Sequence, residues 1–193
     1  MKRFTPILAL VAVCWAVFLV NHVMLRGALT THGVVPRHLA SLPGILWSPF
    51  LHVSLAHLMA NTLPLLILGG IICARSKAQF IGVTMTGILL GGLLVWLFAR
   101  NADHVGASGL VFCYFGFTVA RAWFDRTILD FGLALICMVG YGGILFGLLP
   151  VVPGVSWEAH LAGLLAGVVS ARVISNAGRK ETPGALPGFK KAG

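Results

Sequence analysis

Charged residues are scarce here, 10% of 193 residues with only five acids among them, whereas about a quarter of an ordinary soluble chain is charged. So few charges cannot cover a solvated surface, which excludes a soluble domain. Asp103, Asp125 and Asp130 lie at loops and not as a facing pair within apolar runs, so an aspartyl protease pair is absent. No H-E-x-x-H occurs, which removes the zinc-peptidase pattern. Cys14, Cys73, Cys113 and Cys137 have no metal-ligand spacing and read as buried small hydrophobes. No metal or cofactor is expected. Ten-residue alternation of the outer-membrane barrel type is also missing. The basic start and apolar core of residues 2–20 are followed by no small-x-small cleavage site, so this stretch reads as an uncleaved first span.

What the sequence does have is long apolar runs, near 4–23, 52–74, 79–99, 107–124, 128–149 and 157–175. About twenty apolar residues are what a helix needs to cross the hydrocarbon core, and only helices or closed barrels satisfy their backbone there. The fold class is therefore all-α integral membrane, a bundle of six transmembrane helices. The net charge of +9 is spread over loop ends and the tail and reflects topology, with no nucleic-acid partner implied. With a cytoplasmic N-terminus, eleven Lys and Arg residues fall inside and only Arg26, Arg37 and Arg100 outside. Both termini are then cytoplasmic. The organisation expected is one membrane domain over 1–175 and a disordered basic cytoplasmic tail over 176–193.

Met24 to Leu51 forms the longest connection, mixing prolines with Trp47 and Phe50 as an interfacial segment would. His22, His32 and His38 in and before it are given no role. Gly87, Gly91 and Gly92 of span three, and Gly140, Gly142, Gly143 and Gly147 of span five, are expected to permit close helix approach. Asp125 and Asp130 beside Arg121 and Arg126 read as solvated ion pairs at a short loop.

Polar groups inside the runs are few. In span two, His57 and Asn61 are four apart and share a helix face, whereas His52 points elsewhere and reads as a helix-entry or loop-packing residue. Such a pair serves either a satisfied interior or a wet functional cavity. Gly106-Ala107-Ser108-Gly109 places one hydroxyl where a polar loop ends and span four begins. Alone the tetrapeptide does not specify chemistry, because glycines at a helix mouth more often serve a turn or close packing. His160 stands near the entrance of span six, on the face that also carries Gly163 and Gly167. Glu158 projects to nearly the opposite side and reads as an interfacial charge.

On the charge-derived topology, spans two, four and six all enter from the non-cytoplasmic side, and His57, Asn61, Ser108 and His160 all lie in their first turns. Serine with histidine makes a nucleophile and its base, and His57 and Asn61 add donors for an oxyanion. Here His57-x-x-x-Asn61, Gly106-x-Ser108-Gly109 and Ala159-His160-x-x-Gly163-x-x-x-Gly167 resemble the rhomboid family of intramembrane serine proteases over the whole six-span core. The resemblance implies a Ser108 and His160 dyad without a catalytic aspartate. It also implies an oxyanion hole of His57, Asn61 and main-chain N–H groups, with Gly106, Gly109, Gly163 and Gly167 packing helices near the site. Transmembrane proteins would be the substrates, and a bacterial inner membrane the location. Two departures bear on loop architecture and on the stacking of His160: the first loop has no Trp-Arg, and Phe112 stands where relatives carry Tyr. The alternatives are an inactive rhomboid-like protein that binds membrane clients and a histidine-based transporter.

Overall fold

The computed structural model describes residues 2–152 and 154–180. Its six long helices coincide with the six apolar runs: α1 (Thr5–Val23), α2 (Leu55–Arg75), α3 (Lys77–Phe98), α4 (Ser108–Asp125), α5 (Ile128–Leu148) and α6 (Trp157–Lys180). Five of them are long and apolar enough to cross a membrane; α4 is the one outside that set. The reason is position: α4 is the central helix, buried on most sides from Leu110 to Ala122. A helix wrapped by protein is free to carry Thr118, Arg121 and Asp125, which a lipid-facing helix is not.

Local chemistry sets the boundaries. Ser54 caps α2 by accepting the His57 N–H at 3.1 Å, so the helix starts at Leu55 and His52 stays in the turn before it. Ser76 ends α2 and caps α3 through the Gln79 N–H at 3.3 Å. Helix α6 runs to Lys180; the rest of the tail expected over 176–193, residues 181–193, lies outside the described residues. Arg3 donates to the Ala74 carbonyl at 2.8 Å, placing the chain start beside the far end of α2.

Packing of α4 against α6 is the tightest in the bundle, because glycine lets the two backbones meet. A Cβ on Gly163 would fall onto the Gly109 carbonyl, and one on Gly167 onto the Cys113 carbonyl. The glycines of α3 behave as expected: Gly87 abuts Leu110 and Cys113, and Gly92 abuts Ile45. Those of α5 do not. A Cβ at Gly140 or Gly143 meets nothing within 4 Å, because α5 lies at the periphery with Ile128 93% and Val139 81% exposed. Gly167→Ala is therefore expected to destabilise by about 1–3 kcal/mol, as overpacking does, and Gly140→Ala to leave stability nearly unchanged. Thermal unfolding of the two variants in detergent checks this; equal midpoints would show that the α4 and α6 contact yields freely.

At the end of the bundle opposite Ser108, Arg75 pairs with Asp130, Arg121 pairs with Asp125 and donates to Gln79 at 2.9 Å, and Thr127 bonds Asp130. Asp130 is 1% exposed, so the pairs expected to be solvated form a buried clamp across α2, α3, α4 and α5. Asp130 is the first-turn acid of α5, and the tight reversal after α4 turns it inward, where arginines from two other helices converge. All four cysteines are free and buried.

Candidate active site

His57, Asn61, Ser108 and His160 line one cavity of about 470 Å³. Each is placed by a helix start: His57 and Asn61 in the first two turns of α2, Ser108 as the first residue of α4, and His160 in the first turn of α6. The contact of Gly109 with Gly163, one residue past Ser108 and three past His160, sets how closely the serine and the histidine can approach.

His160 is oriented from two sides. Its Nδ1 lies 2.8 Å from the Gly147 carbonyl, which only accepts, so Nδ1 carries the proton and Nε2 is left as the basic nitrogen. Its ring stacks on Phe112 with centroids 4.3 Å apart and planes 9° from parallel. Phenylalanine therefore supplies the stacking surface that the Tyr-to-Phe departure put in question. Glu158 faces away, toward Arg100 at 3.6 Å. Ser108 and His160 share the cavity without a direct hydrogen bond, a looseness common in catalytic pairs before substrate arrives.

The opposite wall is made of donors. Asn61 is buried, and its Nδ2 has no hydrogen-bond partner among the described residues; a buried amide left so costs roughly 1–3 kcal/mol unless something else meets it. His57 lies against Gly106, where a Cβ would come within 2.5 Å of the ring. Gly106 has φ 117°, a conformation open to glycine, and its N–H donates to the Ser48 carbonyl at 2.9 Å. Gly106 thus serves the turn before α4 and the close approach of that turn to His57 of α2.

The loop leading into Ser108 is held through His104. Val34 and His104 exchange backbone hydrogen bonds at 3.0 Å each, and His104 Nδ1 lies 2.6 Å from Ser156 Oγ, just ahead of α6. Beneath it sits His52, 1% exposed, with Nε2 accepting the Ala107 N–H at 3.4 Å and its ring edge-on to His57 at 5.1 Å. His52 is thus a positioning residue for both Ser108 and His57, a role that five-residue spacing from His57 did not reveal.

Burial, with His57 close by, pushes His52 down to about 4 from an ordinary 6.5, so the fold holds it neutral. Above pH 6.5 both folded and unfolded forms are neutral and nothing is lost. As pH falls from about 6.5 toward 4 the unfolded chain takes up the proton first, and His52 costs stability on the order of a few kcal/mol by the acid end. Wild type should thus lose unfolding midpoint across that window, and His52→Gln, whose amide can still accept from Ala107, should lose less. Identical acid profiles would show that His52 is not held neutral.

A second cavity, about 420 Å³ and apolar, opens beside the first between α2 and the end of α5, and it shares Asn61, Ser108 and His160 as walls. Pro64, Phe112, Phe146 and Gly147 also line it. Gly147 does more than permit packing: its carbonyl holds His160, and a Cβ there would sit 2.9 Å from Nδ1.

Residues 39–177 match the Rhomboid domain family. An uncharacterized protein of Mycobacterium tuberculosis is 39% identical over 186 residues, covering 91% of this chain and 77% of its own length. One of Mycobacterium leprae is 36% identical over 183 residues, covering 90% and 72%. RHOMBOID-like protein 4 of Arabidopsis thaliana is 32% identical over 137 residues, 65% of this chain and 32% of the plant protein.

Proposed function

The chain belongs to the rhomboid family of integral membrane proteins, and we propose that it is an intramembrane serine endopeptidase using Ser108 and His160. The observation that carries this reading is one cavity holding a helix-start serine, a histidine whose Nδ1 is committed to a carbonyl, and an orphaned buried amide donor on Asn61. An unmatched donor on a residue that lines such a cavity fits an oxygen that becomes negative only during reaction.

In this mechanism Ser108 Oγ attacks a substrate carbonyl carbon while His160 Nε2 takes the hydroxyl proton. The carbonyl oxygen, now an anion, accepts from Asn61 and His57 and from backbone N–H at the start of α4. Collapse breaks the C–N bond, and His160 returns its proton to the leaving amine. Water entering the 470 Å³ cavity then attacks the acyl-serine with His160 again as base, releasing the acid and restoring the serine. Gly147 keeps the imidazole in the required tautomer, the part a carboxylate plays in a triad. Against the transporter alternative, polar side chains below the cavity are already committed: Tyr114 and Thr84 bond each other at 2.8 Å, and Thr118 and Ser170 bond carbonyls of their own helices.

Transmembrane protein segments are the substrates this site would take, with the apolar cavity beside Ser108 receiving a side chain next to the scissile bond. On the basic-inside topology the site faces the non-cytoplasmic side, so cleavage is expected near the outer end of the substrate's span. A stable helix hides its carbonyls in intrahelical bonds. Gly or Pro near the cut should raise cleavage, therefore, and Leu should suppress it. Mapping the cleaved bond by mass spectrometry, in a single-span substrate series reconstituted with the protein, tests this; a cut at the cytoplasmic end, or indifference to helix stability, would overturn it.

A further inference from the structure

At the end of the bundle away from Ser108, the carboxylates are already used. Asp125 and Asp130 pair with Arg121 and Arg75 inside the clamp, and those two arginines balance those two acids. Arg126 and Arg172 stand outside this balance, and among the described residues neither has a carboxylate partner. Each is held instead over an aromatic face, Arg126 5.7 Å from the Trp123 ring and Arg172 5.2 Å from that of Phe124. Arg126 also donates from Nε to the Trp123 carbonyl at 3.4 Å and sits at φ 55°, a left-handed conformation that few side chains adopt. Both arginines line one open cavity of about 430 Å³ with Trp123, Phe124 and Asp125.

We propose that this cavity binds the phosphate of an anionic phospholipid headgroup. Two cationic side chains with unspent N–H donors attract a phosphate chiefly through their charge. Burial of one acidic neighbour in an ion pair leaves the cavity with an excess of positive charge. A lipid is the fitting source of the phosphate because the surroundings are those of a membrane surface. Trp123 is 71% exposed beside the arginines, as an interfacial tryptophan is. Ile128 at 93%, Leu129 at 60% and Val173 at 61%, close in the chain to the site's arginines, are exposed apolar side chains against which acyl chains can lie. Basic pockets between spans at the cytoplasmic face are where anionic headgroups are recognised. That is the side the charge bias assigns to this end. The site is separate from the serine cavity and does not depend on the protease reading.

The test is to count lipid retained by the detergent-purified full chain in native mass spectrometry, titrating dioleoylphosphatidylglycerol, dioleoylphosphatidylcholine or inorganic phosphate. Wild type should hold one phosphatidylglycerol in preference to phosphatidylcholine. Arg126→Gln and Arg172→Gln should each weaken it roughly fivefold, and the double variant about thirtyfold. Arg26→Gln, an exposed arginine at the opposite end, should bind as wild type does. Arg126→Lys with Arg172→Lys should keep most of the binding, which separates lost charge from lost fold if the Gln variants unfold. Equal uptake of the two lipids, loss in Arg26→Gln to the same degree, or loss in the Lys pair as large as in the Gln pair would overturn the proposal. So would inorganic phosphate binding as tightly as the lipid, which would make this a site for a soluble anion.

Discussion

Ser108→Ala should reduce cleavage of a transmembrane substrate by about a millionfold, on the precedent of serine proteases stripped of their nucleophile, which in a membrane assay means no product. Folding should be nearly untouched. Among the described residues the Ser108 hydroxyl makes no hydrogen bond, and the α4 N-cap is Ala107, so deletion of one oxygen at a cavity wall removes neither a cap nor a core contact. The paired measurements are product formation and the unfolding midpoint in the same detergent. A fluorophosphonate probe adds an independent check, since it should label wild type at Ser108 and leave the alanine variant unlabelled. Product from the Ser108→Ala protein, or labelling at another serine, would remove the nucleophile assignment and with it the proposed activity.

The parts legible in the sequence were those governed by one-dimensional rules. Apolar run length marked all six helices, including α4, whose charged Arg121 is paired with Asp125 and bonded to Gln79 of a neighbouring helix. His57, Asn61, Ser108 and His160 were legible as a group because position along a span is depth in a bundle, and three odd-even alternations bring three helix starts to one level. What escaped was whatever depends on a partner distant in sequence or on main-chain atoms. Gly147 reads as one more small residue in an apolar run; only the turn from α-helix to a 3₁₀ segment at Gly142 aims its carbonyl at His160. Asp130 next to a loop reads as solvated, and only the fold brings Arg75, 55 residues away, to bury it. His52 gains its place from the Ala107 N–H, also 55 residues away. Periodicity carries no information about any of these three contacts.

The loss of the base should match the loss of the nucleophile. His160→Ala is expected to bring cleavage as low as Ser108→Ala does, and the double variant to fall no further, because a serine without a base and a base without a serine are equally idle. Neighbours that only orient the imidazole should behave differently. Phe112→Ala removes the stacking face at 4.3 Å but leaves the Gly147 carbonyl in place, so Nε2 stays basic while the ring gains freedom; turnover should fall by roughly ten- to a hundredfold, the scale on which a misplaced catalytic group costs, with substrate affinity little changed. Gly147→Val should cost more than Phe112→Ala, since its side chain would intrude on Nδ1 and on Phe112 together. The decisive comparison is the cycle of rates for wild type, Ser108→Ala, His160→Ala and the double variant, read beside fluorophosphonate labelling. Labelling of Ser108 at the wild-type rate in His160→Ala would mean that some other group takes the proton, and the dyad would have to be redrawn around it.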